Sequence, residues 1–255
     1  MRETEEAEVE SAMINRLAVV ETEDIGPNVT IAEFAIVRKG TKLGRNVVIH
    51  PFVVIESGVV IGDGVEIFPG THVGKEPKTA GALAREPVFD HHVAIGERCC
   101  IGPNAVIYCD VQIGDSTLIG DGASVREHCR IGSKSVLGSH ATLGDDCVIG
   151  SHTKVLNHCT LAGTMRVGDN VFISNDVQTA NDNQFGRKGW REEENRGPII
   201  EDGAMIGVGA VLLPGVVVGK GAIVGSGAIV NTNVKPEGLV LTMPGRSVPR
   251  ALHQE

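Results

Sequence analysis

The sequence predicts an all-β fold, a parallel β-helix whose short strands turn a corner every six residues and close a triangular coil every eighteen. Three observations predict it. From Ile95 to Ile173 every sixth residue is aliphatic, and none of the fourteen positions is missed. Four residues after each comes a second, mostly small residue, from Cys99 and Ala105 to Cys159, Met165 and Val177. Glycine follows the aliphatic in nine of the fourteen units, as in Ile95-Gly96 and Ile149-Gly150. A period of six fits neither a helical face nor strand alternation, so it marks a repeat architecture. The aliphatic points inward, the small residue fills the tapered corner, and the glycine is expected to tolerate the backbone angles of the turn. Successive coils should hydrogen-bond about 4.8 Å apart.

Composition narrows the function classes. In 255 residues, 33 glycines against 3% aromatics suit a narrow aliphatic core, and a net charge of −9 argues against a general nucleic-acid or anionic-membrane surface. Basic patches in loops remain able to hold a phosphate. Cys99, Cys129, Cys147 and Cys159 fall on the small inward position and read as core thiols, while Cys100 and Cys109 stand alone and no CxxC pair occurs. No metal is expected. No signal peptide and no apolar run near 18 residues is present, which makes the cytoplasm the default location.

Taken in order, residues 1–24 begin acidic and read as a cap or arm over the open solenoid end. The β-helix domain spans 25–234, starting at Ile25-Gly26 and holding phase to Val73. Hexads then give way to a loop of about 75–92 carrying Lys75, Lys78 and Arg85, and again to a loop of about 180–198 carrying Arg187, Lys188, Trp190 and Arg191. Residues 235–255 form a tail. Loops that interrupt a rigid array are usually functional, because the array could have continued without them.

Four histidines, His128, His140, His152 and His158, share the outward position three residues after the aliphatic. Positions eighteen apart lie one coil apart, so His140 and His158 should stack, with Asp176 next. That column leads within five residues into the loop at Asn181. A carboxylate-oriented imidazole there suits a general base taking a proton from a hydroxyl or amine, with backbone N–H groups stabilising the oxyanion. His158 is the expected base or acceptor-orienting group; His128 and His152 read as solvated turn residues.

The repeated [Ile/Leu/Val]-Gly-x-x-[small]-x signature resembles that of the left-handed β-helix hexapeptide acyltransferases. The left hand comes from this resemblance, since the rule for ordinary parallel crossovers points the other way. Val171-Phe172-Ile173-Ser174-Asn175-Asp176 followed by Asn181-Asp182-Asn183 is similar to the stretch before the acceptor loop of sugar acetyltransferases, especially those that N-acetylate nucleotide-linked amino sugars. The resemblance implies a homotrimer with sites between solenoids, acetyl-CoA along the C-terminal coils, and a (nucleotide-linked) sugar acceptor. It places the pantetheine arm on Gly207, Gly209, Gly225 and Gly227 and its phosphates on Lys220 and Arg246. It places the acceptor against Asn175, Asn181 and Asp182; if that acceptor carries a nucleotide diphosphate, the loop charges Lys75, Lys78 and Arg85 or Arg187, Lys188 and Arg191 should bind its phosphates, with Trp190 available to stack on a base. Because the His-Pro dipeptide of many relatives is replaced by Asn183-Gln184, either the base comes from the helix wall, which favours His158 with His140 and Asp176, or the amine acceptor needs no strong base. Two other readings stand beside it. A γ-type carbonic anhydrase would need a zinc-binding His pair five apart, which these spacings do not match, and a non-catalytic scaffold would have uninterrupted coils.

Overall fold

The computed structural model describes residues 11–81, 86–184, 187 and 195–243. Among these, strands of two to four residues form three parallel sheets of 12, 11 and 9 strands. We call them faces I, II and III. Face I runs from Met13–Ile14 to Leu239–Val240, face II from Val19–Val20 to Ile229–Val230, and face III from Lys42–Leu43 to Val217–Val218. The chain visits the faces in rotation, so partners in the central array are eighteen residues apart, as in Leu118, Val136 and Lys154. No described residue is helical, and none belongs to a helix long and apolar enough to cross a membrane.

All fourteen aliphatics from Ile95 to Ile173 are buried, and so are their small companions. Removing each of the aliphatic side chains from water contributes roughly 1.5–3 kcal/mol. The small position has a second demand. Thr117, Ser135 and Thr153 donate their hydroxyls to the carbonyls of Gly132, Gly150 and Gly168 at 2.8–2.9 Å, and Cys129 and Cys147 direct their thiols to Gly144 and Ala162 carbonyls at 3.0 and 3.1 Å. Small polar residues are therefore tolerated inside because each finds an acceptor on the next coil.

The glycine after the aliphatic has a different cause from the one its position suggests. It does not lie in the left-handed region; a Cβ on Gly120 would instead sit 2.5 Å from the Ser139 amide nitrogen in the adjacent coil. Close approach of backbones excludes a side chain there. The left-handed conformation falls two residues later, on Asn104, Asp110, His128, His140, His158 and Asp176, whose φ lies between 57° and 61°.

Both ends of the solenoid extend beyond the expected domain. Met13–Ile14 pairs with Thr30–Ile31 and Val19–Val20 with Ile36–Val37, so the first coil lies inside the segment read as a cap. Leu239–Val240 pairs with Ile223–Val224, inside the segment read as a tail. A terminal coil is covered on one side only, so its residues are half-exposed and its hexad signal fades.

The two loops enter at the same edge. The first leaves face II after His72–Lys75 and returns as Val93–Ile95 in face III; the second leaves after Gln178–Thr179 and returns as Ile199–Ile200. Val93 pairs with Val59, 34 residues earlier where the coil is 18, so the first insertion adds 16 residues. Ile200 pairs with Val167, 33 earlier, so the second adds 15.

Candidate functional site

Both insertions rise from the corner between faces II and III, and the side chains on that corner hold them. Tyr108, the only tyrosine, accepts a hydrogen bond from Lys75 Nζ at 3.0 Å, and the ammonium stands 4.2 Å from its ring centre. Arg126, one coil on, lies over the same ring at 4.9 Å and forms a double hydrogen bond to Glu127 at 2.8 and 2.9 Å. Those bonds keep the guanidinium protonated, raising it above its ordinary range. The Glu127 side chain is only 3% exposed, so Arg126 neutralises a buried carboxylate. Behind them, burial pushes the Cys109 thiol up to about 12.

Asp110 anchors the return of the first loop. Its carboxylate accepts the backbone N–H of Asp90 at 2.7 Å and of His92 at 3.0 Å. One coil further, His128 places Nε2 3.5 Å from Asp110 Oδ2 and Nδ1 3.5 Å from Asp146 Oδ1. Next along the corner, Thr164 accepts the Gly197 N–H at 2.9 Å and donates to the Asn195 carbonyl at 3.3 Å, tying down the return of the second loop. Asp110, His128, Asp146 and Thr164 thus form one column, clamped at each end to a loop.

Two clefts flank the first loop. The larger, about 770 Å³, is lined by Glu56, His72, Lys75, Glu76, Lys78 and His91 among others. His72 Nε2 lies 3.0 Å from Glu56 Oε1, and Glu76 pairs with Lys78 at 2.5 Å and approaches His91 at 3.6 Å. The Lys78 bond holds the Glu76 carboxyl below its ordinary range. The smaller, about 390 Å³, opens over His128 between Phe89, Asp90, His92, Gln112 and Arg130.

The expected catalytic column is partly assembled. His140 and His158 do stack, with ring centres 5.3 Å apart and planes 14° off parallel, and Gly122 makes room for the His140 ring. Asp176 follows one coil on but forms no hydrogen bond or ion pair with His158, and both are exposed. The column also does not run into the Asn181 loop. It occupies the corner between faces I and II, and five residues after Asp176 the chain has crossed face II to the next corner. Nor is it the one outer column with convergent ionisable groups, since Asp110, His128 and Asp146 make a second.

The other expected residues divide similarly. Lys75 and Lys78 do line one cleft. Asn175 is a corner brace, its side-chain oxygen accepting the Asn157 N–H at 3.2 Å, and Asn157 does the same for Ser139 at 3.0 Å. Asn181 directs Nδ2 to the Gly163 carbonyl at 3.5 Å, and Asp182 accepts the Gln184 N–H at 2.5 Å within the second loop. Arg187 is exposed. Gly207 and Gly225 are explained by coil packing, with the Ser226 amide and the Val240 carbonyl 2.5 and 2.9 Å from an added Cβ. Gly209 and Gly227 are left-handed and face open space, extending the His158 corner as a bare track. Lys220 lies elsewhere, in a cleft of about 340 Å³ with Arg166, Ile199 and Glu201, its N–H bonded to Glu201 at 2.8 Å. Arg85, Lys188, Trp190, Arg191 and Arg246 lie outside the described residues.

Comparison with known proteins accords with the repeat. Residues 40–75 and 197–232 match the family described as bacterial transferase hexapeptide (six repeats), and residues 84–183 match the GMPPB C-terminal domain. No curated protein matches the sequence. The fold is similar to that of UDP-N-acetylglucosamine acyltransferase from Bacteroides fragilis, 24% identical over 67% of this chain and 68% of that one, with a TM-score of 0.58. UDP-N-acetylglucosamine acyltransferases from Francisella novicida (21% identical, 89% and 66% covered, TM-score 0.39) and Arabidopsis (18%, 90% and 69%, 0.48) are also similar. The chain spans about two thirds of the length of these structures.

Proposed function

Taking the chain as a member of the hexapeptide-repeat, left-handed β-helix family, we propose that it is an acyltransferase that moves an acetyl group from acetyl-CoA to an amino or hydroxyl group of a nucleotide-linked sugar. The observation that carries this reading is the pair of insertions on one corner, with a cleft of about 770 Å³ lined by Lys75 and Lys78 beside them. Lys75 spends one of its three N–H donors on Tyr108, which leaves the others for an anionic ligand. A phosphate held there would sit against a fixed cation rather than a freely rotating one. The nucleotide sugar in the name of the Bacteroides fragilis protein supports the choice of acceptor.

The open corner of Gly209 and Gly227, with His140 and His158 at its foot, offers a path for the pantetheine arm. On this reading the active protein is a cytoplasmic homotrimer, in which this corner and a neighbour's loops border one cleft. Calorimetric titration with acetyl-CoA, followed by a screen of nucleotide-linked sugars with a free-thiol readout, tests it. Micromolar donor binding and thiol release dependent on an acceptor are expected; no heat with acetyl-CoA and no thiol release with any acceptor would overturn it.

A further inference from the structure

We propose that Tyr108 is a positioning residue: it fixes the Lys75 ammonium in the wall of the larger cleft, ready for an anionic ligand, and it acts through Lys75. This rests on the anion-holding role given to that cleft above and assigns the residue that sets how tightly the cleft holds a charged group. Three observations converge. First, the backbone departs from regular pairing to bring the two side chains together. His72 and Val73 pair with Val106 and Ile107, but the register then shifts, so that Lys75 and not Gly74 stands opposite Tyr108. Gly74 is the extra residue, and its φ of 85° lies in the left-handed region that glycine takes without strain. Side chains alternate between the two faces of a strand, so this one-residue bulge turns Lys75 outward where an unbroken strand would have turned it in. The Lys75 carbonyl accepts the Cys109 N–H at 3.0 Å, which pins the bulge in place.

Second, the contact is double. Lys75 Nζ donates to the Tyr108 hydroxyl at 3.0 Å and stands 4.2 Å from the ring centre. The hydroxyl supplies a hydrogen bond and the ring a cation–π attraction, and the two can be removed separately. Arg126 lies over the same ring, 4.9 Å from its centre, but Glu127 takes up its charge through two hydrogen bonds. Lys75 therefore shares the ring with an ion pair and not with a second unanswered cation.

Third, Lys75 is the lysine of this cleft whose charge no carboxylate answers. Among the described residues, Glu76 pairs with Lys78 and approaches His91, Glu56 faces His72, and neither these carboxylates nor Asp90 forms an ion pair with Lys75. A lysine that closes on a ligand from free solution loses rotamer freedom in doing so. One already held against a tyrosine has lost it beforehand, so the ligand meets a preorganised charge.

The test uses the full chain and inorganic pyrophosphate as the probe, titrated by calorimetry, with acetyl-CoA as the control titrant. Tyr108→Phe keeps the ring and removes the hydroxyl; Tyr108→Leu removes both. The pyrophosphate Kd should rise about threefold to tenfold in Tyr108→Phe and further in Tyr108→Leu, while circular dichroism and the Kd for acetyl-CoA stay as in wild type. Lys75→Met should weaken pyrophosphate binding at least as much as Tyr108→Leu, and adding Tyr108→Phe to Lys75→Met should then change nothing more. A role confined to packing would show no such coupling, since its cost would be the same with and without Lys75. Lys78→Met, which removes a cation already paired with Glu76, should stay within about twofold of wild type. With the best acceptor from the thiol-release screen, Tyr108→Phe should raise the acceptor KM and leave kcat unchanged. Wild-type protein that binds no pyrophosphate, a Tyr108→Phe variant that binds it as wild type does, or an undiminished effect of Tyr108→Phe in the Lys75→Met background would overturn the proposal. Wild-type protein that binds pyrophosphate as expected but releases no thiol with any acceptor would overturn the transfer reading and leave the role of Tyr108 standing.

Discussion

Two neighbouring corners of the same coils carry histidines, and they differ in what surrounds them. At the corner between faces I and II, His140 and His158 stack on one another in the open, with bare glycines beyond. At the corner between faces II and III, His128 sits between Asp110 and Asp146 beside the first loop, next to an Arg126–Glu127 pair whose carboxylate is withdrawn from water. The corner backbone is the same in both, left-handed and one coil apart. What separates the two corners is therefore the neighbourhood: opposite charge at the coil spacing, and an insertion beside it.

The comparison can be broken most severely by removing the cover. Deleting residues 76–91, sixteen residues, would restore the 18-residue step between Val59 and Val93. Turnover should fall by more than about 100-fold while the unfolding midpoint changes little, as measured by thiol release and thermal denaturation. Retained turnover would show that the loop-bearing corner is ornamental.

A second contrast concerns burial. Arg126→Met leaves Glu127 without its partner and should destabilise the chain by about 2 kcal/mol in urea titration, below the range for a fully buried pair because Arg126 is partly exposed. Arg98→Met breaks a singly bonded pair with Glu97, exposed on both sides, and should cost under about 0.5 kcal/mol. Equal effects would mean that the II–III corner is no drier than the others.

Thiol chemistry offers a finer probe of the same corners. Cys109 lies behind the loop-bearing corner and Cys159 behind the stacked histidines; both are buried and their thiols are raised by burial. Of the six cysteines, only Cys100 is partly accessible. At pH 8 it alone should be alkylated at a measurable rate. Preferential labelling of Cys109 over Cys159 would reveal that the loop corner opens.

The smallest effect is expected at the third corner. Hydrogen bonds from the Arg45 backbone and side chain hold the Asp63 carboxyl below its ordinary range. Its contribution is present above the ordinary carboxylate value near 4 and is lost as the pH falls through the lowered value. The stability difference between wild type and Asp63→Asn should therefore shrink below about pH 4. A difference that grows on acidification would contradict the sign.

Much of this was open to reading in the sequence, and particular residues explain where it stopped. Ile119, Val125 and Ile131 announce the core because the solenoid repeats the same environment every six positions. His140 and His158 announce their stacking because eighteen residues make one coil. The same rule applied to opposite charges would have found Asp110, His128 and Asp146, which are also eighteen apart. What no period could reveal is aperiodic: the loop amides of Asp90 and His92 closing on Asp110, and Glu127 turning inward against Arg126. Counting five residues from Asp176 to Asn181 misled because a hexad is a whole face, so nearness in sequence put them on different corners.

The strand pitch makes the molecule a ruler. Five strand spacings of face III separate the return of the first loop from that of the second, about 24 Å. Because neither insertion disturbs the pairing of the coils between them, that span can change only in whole steps of about 4.8 Å. Lengthening or trimming the stack by one eighteen-residue turn would alter the distance between the two loops by one such step and leave the pairing within each remaining coil untouched.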